Sequence, residues 1–189
     1  MKRPSIQLLF ALLLISDLSF AQKTTSSVEK FGNTLNLGAG LAYYGYLGHP
    51  VPVIHADYEF SIARSFTLAP SISFYTFQDN YYWGAPHYSY RYYSYRETVI
   101  PVGVKGSYYF DKLLNLNPKW DIYLAASMGF VIRNIVWENG YYGDKTVNPG
   151  PGDLFFGFHI GSEYHLNKKA GLFLDLSTGV STFGLALHL

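Results

Sequence analysis

Ionisable side chains recur at every second position in several short segments of this chain. His55, Asp57 and Glu59 alternate with Ile54, Ala56, Tyr58 and Phe60, and His159, Glu163 and His165 alternate with Phe158, Ile160, Ser162 and Tyr164. Lys105, Asp121, Arg133, Asp175 and His188 stand in the same relation to their neighbours. A two-residue spacing puts side chains on one face of a strand, where histidines and carboxylates can pair, pass protons or hold a metal ion. Pairing is the first expectation, because isolated buried charges are costly. Glu163, His165 and His188 would converge as metal ligands near one mouth, but another strand separates them and no spaced ligand motif is present. No metal and no cofactor is therefore predicted. His49, His87, Ser89, Ser94 and Glu97 offer nucleophile, base and acid types near the opposite rim, but no spacing fixes them together. No catalytic residue is assigned.

The elements that must position these groups are short strands. In "FFGFHIGSEYHL" the even positions from Phe156 to Leu166 are mostly apolar, and the odd positions are small or ionisable. "DIYLAASMGFVIR" sets Ile122 to Ile132 against Asp121, Tyr123, Ser127, Gly129 and Arg133, with only Val131 out of pattern. "IHADYEFSI", "LNLGAGLAYYGY" from Leu35, "FTLAPSISFYTF" from Phe66, "TVIPVGVKGSYYF" from Thr98, "GLFLDLS" from Gly171 and "STFGLALHL" ending at Leu189 complete a set of eight. Short polar turns follow the second, fourth and sixth, and long aromatic tracts at 79–97 and 138–152 follow the third and fifth. These tracts are expected to be loops at the outer end.

Composition narrows the setting. The chain has 189 residues, 19% of them aromatic and 14% charged, with 18 Gly and no Cys. Lys2 and Arg3, the apolar run Ile6–Ile15 and the small residues ending at Ala21 have the form of a secretory leader over 1–21. The run is too short for the ~20 apolar residues of a membrane-spanning helix. A short segment, 22–33, precedes the barrel domain, 34–189. Without Lys2, Arg3 and Asp17 the basic and acidic side chains balance, which gives no electrostatic reason to bind nucleic acid.

The orientation of the faces follows from their contents. One face is a nearly unbroken band of Leu, Ile, Val, Phe and Tyr. The other is Gly, Ala, Ser and Thr with scattered charges, which suits the narrow interior of an eight-stranded barrel. Turned to water, the apolar band would far exceed what soluble monomers expose, so it faces lipid, and closure satisfies the backbone there. The fold class is all-β, an eight-stranded antiparallel up-and-down transmembrane barrel. "NTLNLGAGLAYYGY", "IPVGVKGSYYF", "WDIYLAASMGF" and "GLFLDLSTGVSTFGLALHL" resemble the small outer-membrane β-barrel proteins common in Bacteroidetes, related in architecture to the OmpA and OmpX barrels. Those families usually end in an aromatic residue, where this chain has Leu189.

That resemblance implies integral residence in the bacterial outer membrane, with lipids and lipopolysaccharide around the barrel and the barrel-assembly machinery as a partner during biogenesis. His55, Asp57, Glu59, Lys105, Arg133, His159, Glu163, His165, Asp175 and His188 are expected to form a polar network filling the lumen. Tyr81, Tyr82, Trp83, Tyr88, Tyr90, Tyr92, Tyr93, Tyr95, Trp137, Tyr141 and Tyr142 are expected to make an aromatic girdle continuing into outer loops that contact a surface ligand. The Tyr92–Tyr93 doublet predicts a bulge or crossing, because it shifts the alternation. A structural or surface-interaction role leads. A narrow gated pore is the alternative, and a lipid-modifying enzyme is third.

Overall fold

The computed structural model describes residues 33–43, 49–63, 65–110, 114, 117–146 and 152–189. The leader over 1–21 and nearly all of the 22–33 segment lie outside the described residues. The strands are β1 (Thr34–Ala42), β2 (Val51–Ala63), β3 (Phe66–Ala85), β4 (Tyr88–Tyr109), β5 (Trp120–Trp137), β6 (Leu154–His165), β7 (Ala170–Ser177) and β8 (Val180–His188). Each pairs antiparallel with the next, and β1 pairs with β8, Thr34 opposite His188 and Ala42 opposite Val180, so the sheet closes on itself. Closure leaves no edge of unpaired backbone, the condition for crossing hydrocarbon with strands.

Odd-numbered residues of β2 to β7 and even-numbered residues of β1 and β8 turn inward, while their neighbours turn outward. Among the described pairings the register shifts only between Ser61 and Ala63 and between Trp83 and Ala85. The outward set is strongly apolar and bare: Ile54 is 62% exposed, Met128 59% and Phe158 72%. A belt of this size on a closed barrel faces lipid. At the end where β1 begins and β8 finishes, Trp120 and Tyr164 lie 4.9 Å apart and Tyr108 and Phe110 also 4.9 Å apart. These rings suit the headgroup boundary, where an apolar body meets a polar tip.

The wall is uneven. β3 and β4 run 20 and 22 residues, whereas β7 and β8 run 8 and 9. The tract at 79–97 is therefore not a loop, as its aromatic composition suggested, but the upper half of a paired hairpin. Gln78 sits opposite Arg96, Asn80 opposite Ser94 and Tyr82 opposite Tyr92, and the turn comes only at Pro86 and His87. Tyr is a good strand former, and the unbroken alternation keeps the pairing going. The Tyr92–Tyr93 doublet neither bulges nor changes phase: Tyr92 continues the outward row and Tyr93 the inward one. The irregularity lies at the tip instead, between Trp83 and Ala85.

Candidate functional site

The inward residues form layers along the barrel. At the end where β1 begins and β8 finishes, Asp121 of β5, Glu163 and His165 of β6 and His188 of β8 are all buried. His165 Nε2 lies 2.6 Å from Asp121 Oδ2, and His188 Nδ1 lies 3.1 Å from Thr34 Oγ1. Glu163 Oε1 is 3.2 Å from His165 Nδ1 and 3.0 Å from His188 Nε2. The sequence argument that a strand separates these groups fails for a local reason. The intervening β7 presents Gly171 opposite His165, so side chains from β6 and β8 meet over a position without a side chain.

The middle layer is a chain of hydrogen bonds across the lumen. Lys105 Nζ donates to Asp57 Oδ2 at 3.1 Å and to Asp175 Oδ2 at 3.3 Å. Asp57 also accepts from Asn36 Nδ2 at 2.9 Å and lies 3.0 Å from His55 Nε2, whose Nδ1 is 2.8 Å from Ser73 Oγ. On the other side His159 Nδ1 lies 2.7 Å from Asp175 Oδ1, and His159 Nε2 is 2.8 Å from Ser127 Oγ. Tyr123 donates its hydroxyl to Asp175 and Tyr109 donates to Glu59. A cavity of about 80 Å³ opens above Lys105 between the two histidines.

Two serine–histidine–aspartate series thus flank one lysine: Ser73, His55 and Asp57 on one side, Ser127, His159 and Asp175 on the other. The order nucleophile, base, orienter is the one acyl transfer uses. Nucleophilic chemistry also needs donors aimed at the developing oxyanion. Ser127 sits mid-strand, paired with Lys105 on β4 and Gly157 on β6, so the backbone around it is engaged in the ladders. Each aspartate is also shared with Lys105. The arrangement sets Lys105 between two buried carboxylates, each with a histidine on its other side.

Above the cavity, Arg133 donates to Glu97 Oε1 at 2.7 Å and to the Gly152 carbonyl at 3.1 Å. Glu97 is fully buried there, apart from the exposed His49, His87, Ser89 and Ser94 with which a catalytic rim would have needed it. Around the Arg133–Glu97 pair and above it the lumen is apolar and aromatic. Tyr75, Phe77, Tyr95 and Val99 pack with Val131, Ile135 and Trp137, and Trp137 stacks on Tyr141 at 4.1 Å. Val131, out of pattern in its segment, was the visible sign of this layer. The serines and tyrosines that complete the middle layer had no stronger signal than their inward positions.

The aromatic set divides accordingly. Tyr93, Tyr95 and Tyr141 are buried, and Tyr81, Trp83 and Trp137 are packed around them, so these six are interior groups and do not belong to a lipid-facing girdle. Tyr82, Tyr88, Tyr90, Tyr92 and Tyr142 are exposed. They are also too high for a girdle. The outward row of β3 and β4 is apolar up to Phe74 and Ile100. It then passes three polar rungs, Thr76 with Thr98, Gln78 with Arg96 and Asn80 with Ser94, before reaching Tyr82 and Tyr92. Phe74 to Tyr82 is about 26 Å of strand, roughly 20 Å of height at a tilt of ~40°. Tyr82 lies 5.0 Å from Tyr92, and Tyr88 stacks on Tyr142 at 5.0 Å. Arg91 binds Glu138 at 3.3 Å, tying the hairpin to the segment after β5. In that segment Thr146 donates its hydroxyl and backbone N–H to Asp144, which holds the Asp144 carboxyl below its ordinary range.

No family model matches this chain, and no curated protein matches it. Among solved structures it is similar to Neisserial surface protein A, with 14% identity and a TM-score of 0.50 over 85% of this chain and 98% of that one. A de novo designed transmembrane β-barrel matches at 11% identity and a TM-score of 0.47 over 85% and 98%. The Yersinia pestis outer membrane protein Ail matches at 6% identity and 0.45 over 84% and 99%. The likeness is one of fold: a closed eight-stranded antiparallel barrel, belted by apolar side chains, of the kind found in integral outer-membrane proteins.

Proposed function

We propose that this protein is an outer-membrane barrel with a sealed lumen that carries a rigid, tyrosine-rich hairpin above the membrane as a contact surface for a protein partner. In this reading the termini face the periplasm, lipid and lipopolysaccharide surround the apolar belt, and the role is binding and not catalysis. The observation that carries it is the row Tyr82, Tyr88, Tyr90 and Tyr92, exposed and cut off from the lipid belt by three polar rungs. Tyrosine gives a large, stiff, amphipathic contact at low entropic cost, and the interleaved Ser89 and Ser94 add adaptable hydrogen bonding, a combination antibody loops also use. The paired strands beneath, with Arg91 clamped to Glu138, pre-organise the surface and lower the ordering cost of binding. The Lys105 ion pairs and the aromatic layer above them favour a sealed barrel over a gated pore.

Cells displaying the protein are expected to retain soluble proteins from a panel of serum and matrix components. The Y82S/Y90S/Y92S variant should retain at least tenfold less, consistent with the loss of several aromatic anchors. Heat-dependent migration on a detergent gel should show both forms equally folded. Equal retention by both would overturn the reading.

A further inference from the structure

We propose that Glu163, His165 and His188 form a site for a single divalent transition-metal ion, zinc(II) in character, at the end of the lumen where β1 begins and β8 finishes. The candidate ligand atoms are Glu163 Oε1, His165 Nδ1 and His188 Nε2. Their separations are 3.2 Å, 3.0 Å and 3.3 Å, an almost equilateral triangle. Zinc bound at about 2.0–2.1 Å in a tetrahedron has ligand–ligand edges of roughly 3.3 Å. The triangle is thus already close to the size of one face of that tetrahedron.

The second nitrogen of each ring is held as a metal site requires. His165 Nε2 faces the Asp121 carboxylate at 2.6 Å, and His188 Nδ1 faces Thr34 Oγ1 at 3.1 Å. If those nitrogens carry the ring protons, His165 Nδ1 and His188 Nε2 are the lone-pair donors beside Glu163 Oε1. Carboxylate–histidine and hydroxyl–histidine contacts of this kind fix ligand orientation and tautomer in metal centres. Glu163 supplies an independent sign. Its side chain is about nine-tenths buried, yet Oε1 has no hydrogen bond of acceptable geometry, although two ring nitrogens lie within 3.2 Å. An acceptor left in that state looks toward a shared cation more than toward either ring.

The surroundings match in charge and space. Glu163 and Asp121 together balance a dication when both histidines are neutral. Imidazole and carboxylate ligands suit zinc and its first-row neighbours, whereas calcium and magnesium prefer all-oxygen sets. A Cβ at residue 171 would meet Glu163 Oε1, so glycine on β7 leaves the carboxylate the space it occupies. The ion would bond β6 to β8 across β7 and, through Thr34, brace the seam where β1 meets β8.

The test uses the refolded full-length barrel in detergent, stripped with a chelator and titrated with cobalt(II) alone. One equivalent should raise the intense visible absorption of a four-coordinate nitrogen–oxygen site, and zinc(II) should displace it. H188A and E163Q should abolish the signal, and D121N should weaken cobalt binding 10- to 100-fold while leaving the triangle intact. Heat-dependent gel migration identifies any variant that fails to fold, and for such a variant His165→Asn replaces it. A folded wild type with no visible band, or folded variants that bind cobalt as the wild type does, overturns the proposal in favour of a metal-free histidine–carboxylate cluster.

Discussion

Lys105→Met is expected to destabilise the barrel by about 3–5 kcal/mol, the cost of leaving buried charge without its partner. Lys105 holds two carboxylates at once, and the side chains of Lys105, Asp57 and Asp175 are only 5%, 0% and 4% exposed. Methionine fills much of the same space, so little of the loss comes from a cavity. The remaining two negative charges must then be protonated or hydrated inside a narrow barrel. Their histidine and serine partners are chained to them, so the disturbance reaches β2, β3, β5 and β6 together. The triple variant K105M/D57N/D175N should recover most of the stability, because it removes the charges along with their counterion. Urea unfolding in detergent micelles, followed by tryptophan fluorescence, measures both. A change below about 1 kcal/mol for K105M, the range of exposed ion pairs, would show that water reaches the network freely.

Gly184→Val should cost about 3 kcal/mol or prevent closure, the upper end of what overpacking does. Gly184 of β8 lies opposite Gly38 of β1 at the seam that makes the sheet a barrel. A Cβ there would strike the backbone carbonyl of Leu37 and the Cα of Gly38, and a backbone obstacle cannot rotate away as a side chain would. Relief requires the two strands to move apart where β1 and β8 meet. Gly179→Ala is the control, since a Cβ there has nothing within 4 Å and should change stability little. Refolding yield by gel shift distinguishes the two. Equal yields would mean that the seam tolerates a wider spacing than the close approach of the glycines indicates.

The closed sheet was legible because alternation is a local signal. His159, Glu163 and His165 had to share a face whatever lay beside them, and the apolar row from Phe156 to Ile160 had to take the other. What lies between strands was not legible. Whether Glu163 reaches His188 depends on the residue that β7 places between them, and only the register reveals that it is Gly171. The same holds for Ser73 and Ser127, ordinary small inward residues until the pairing sets each beside a histidine. The hairpin was misread for a different reason. Tyrosine content suggested an interface, and a long aromatic tract suggested a loop, whereas the height of Tyr82 follows from counting the polar rungs beneath it. The aromatic layer that surrounds the Arg133–Glu97 pair left Val131 as its trace in the sequence.

The central claim is that an apolar belt lies in lipid while the tyrosine hairpin stands clear of it. The chain has no cysteine, so single cysteines can be introduced at Phe74, Met128 and Phe158 in the belt and at Tyr82, Tyr90 and Tyr92 on the hairpin, each carrying a nitroxide. Power-saturation measurements in lipid bilayers compare oxygen, which concentrates in hydrocarbon, with a water-soluble nickel chelate. The account predicts oxygen-dominated relaxation at the three belt positions and nickel-dominated relaxation at the three hairpin positions. Oxygen dominance at Tyr82, Tyr90 and Tyr92 would return those rings to the membrane boundary and contradict it.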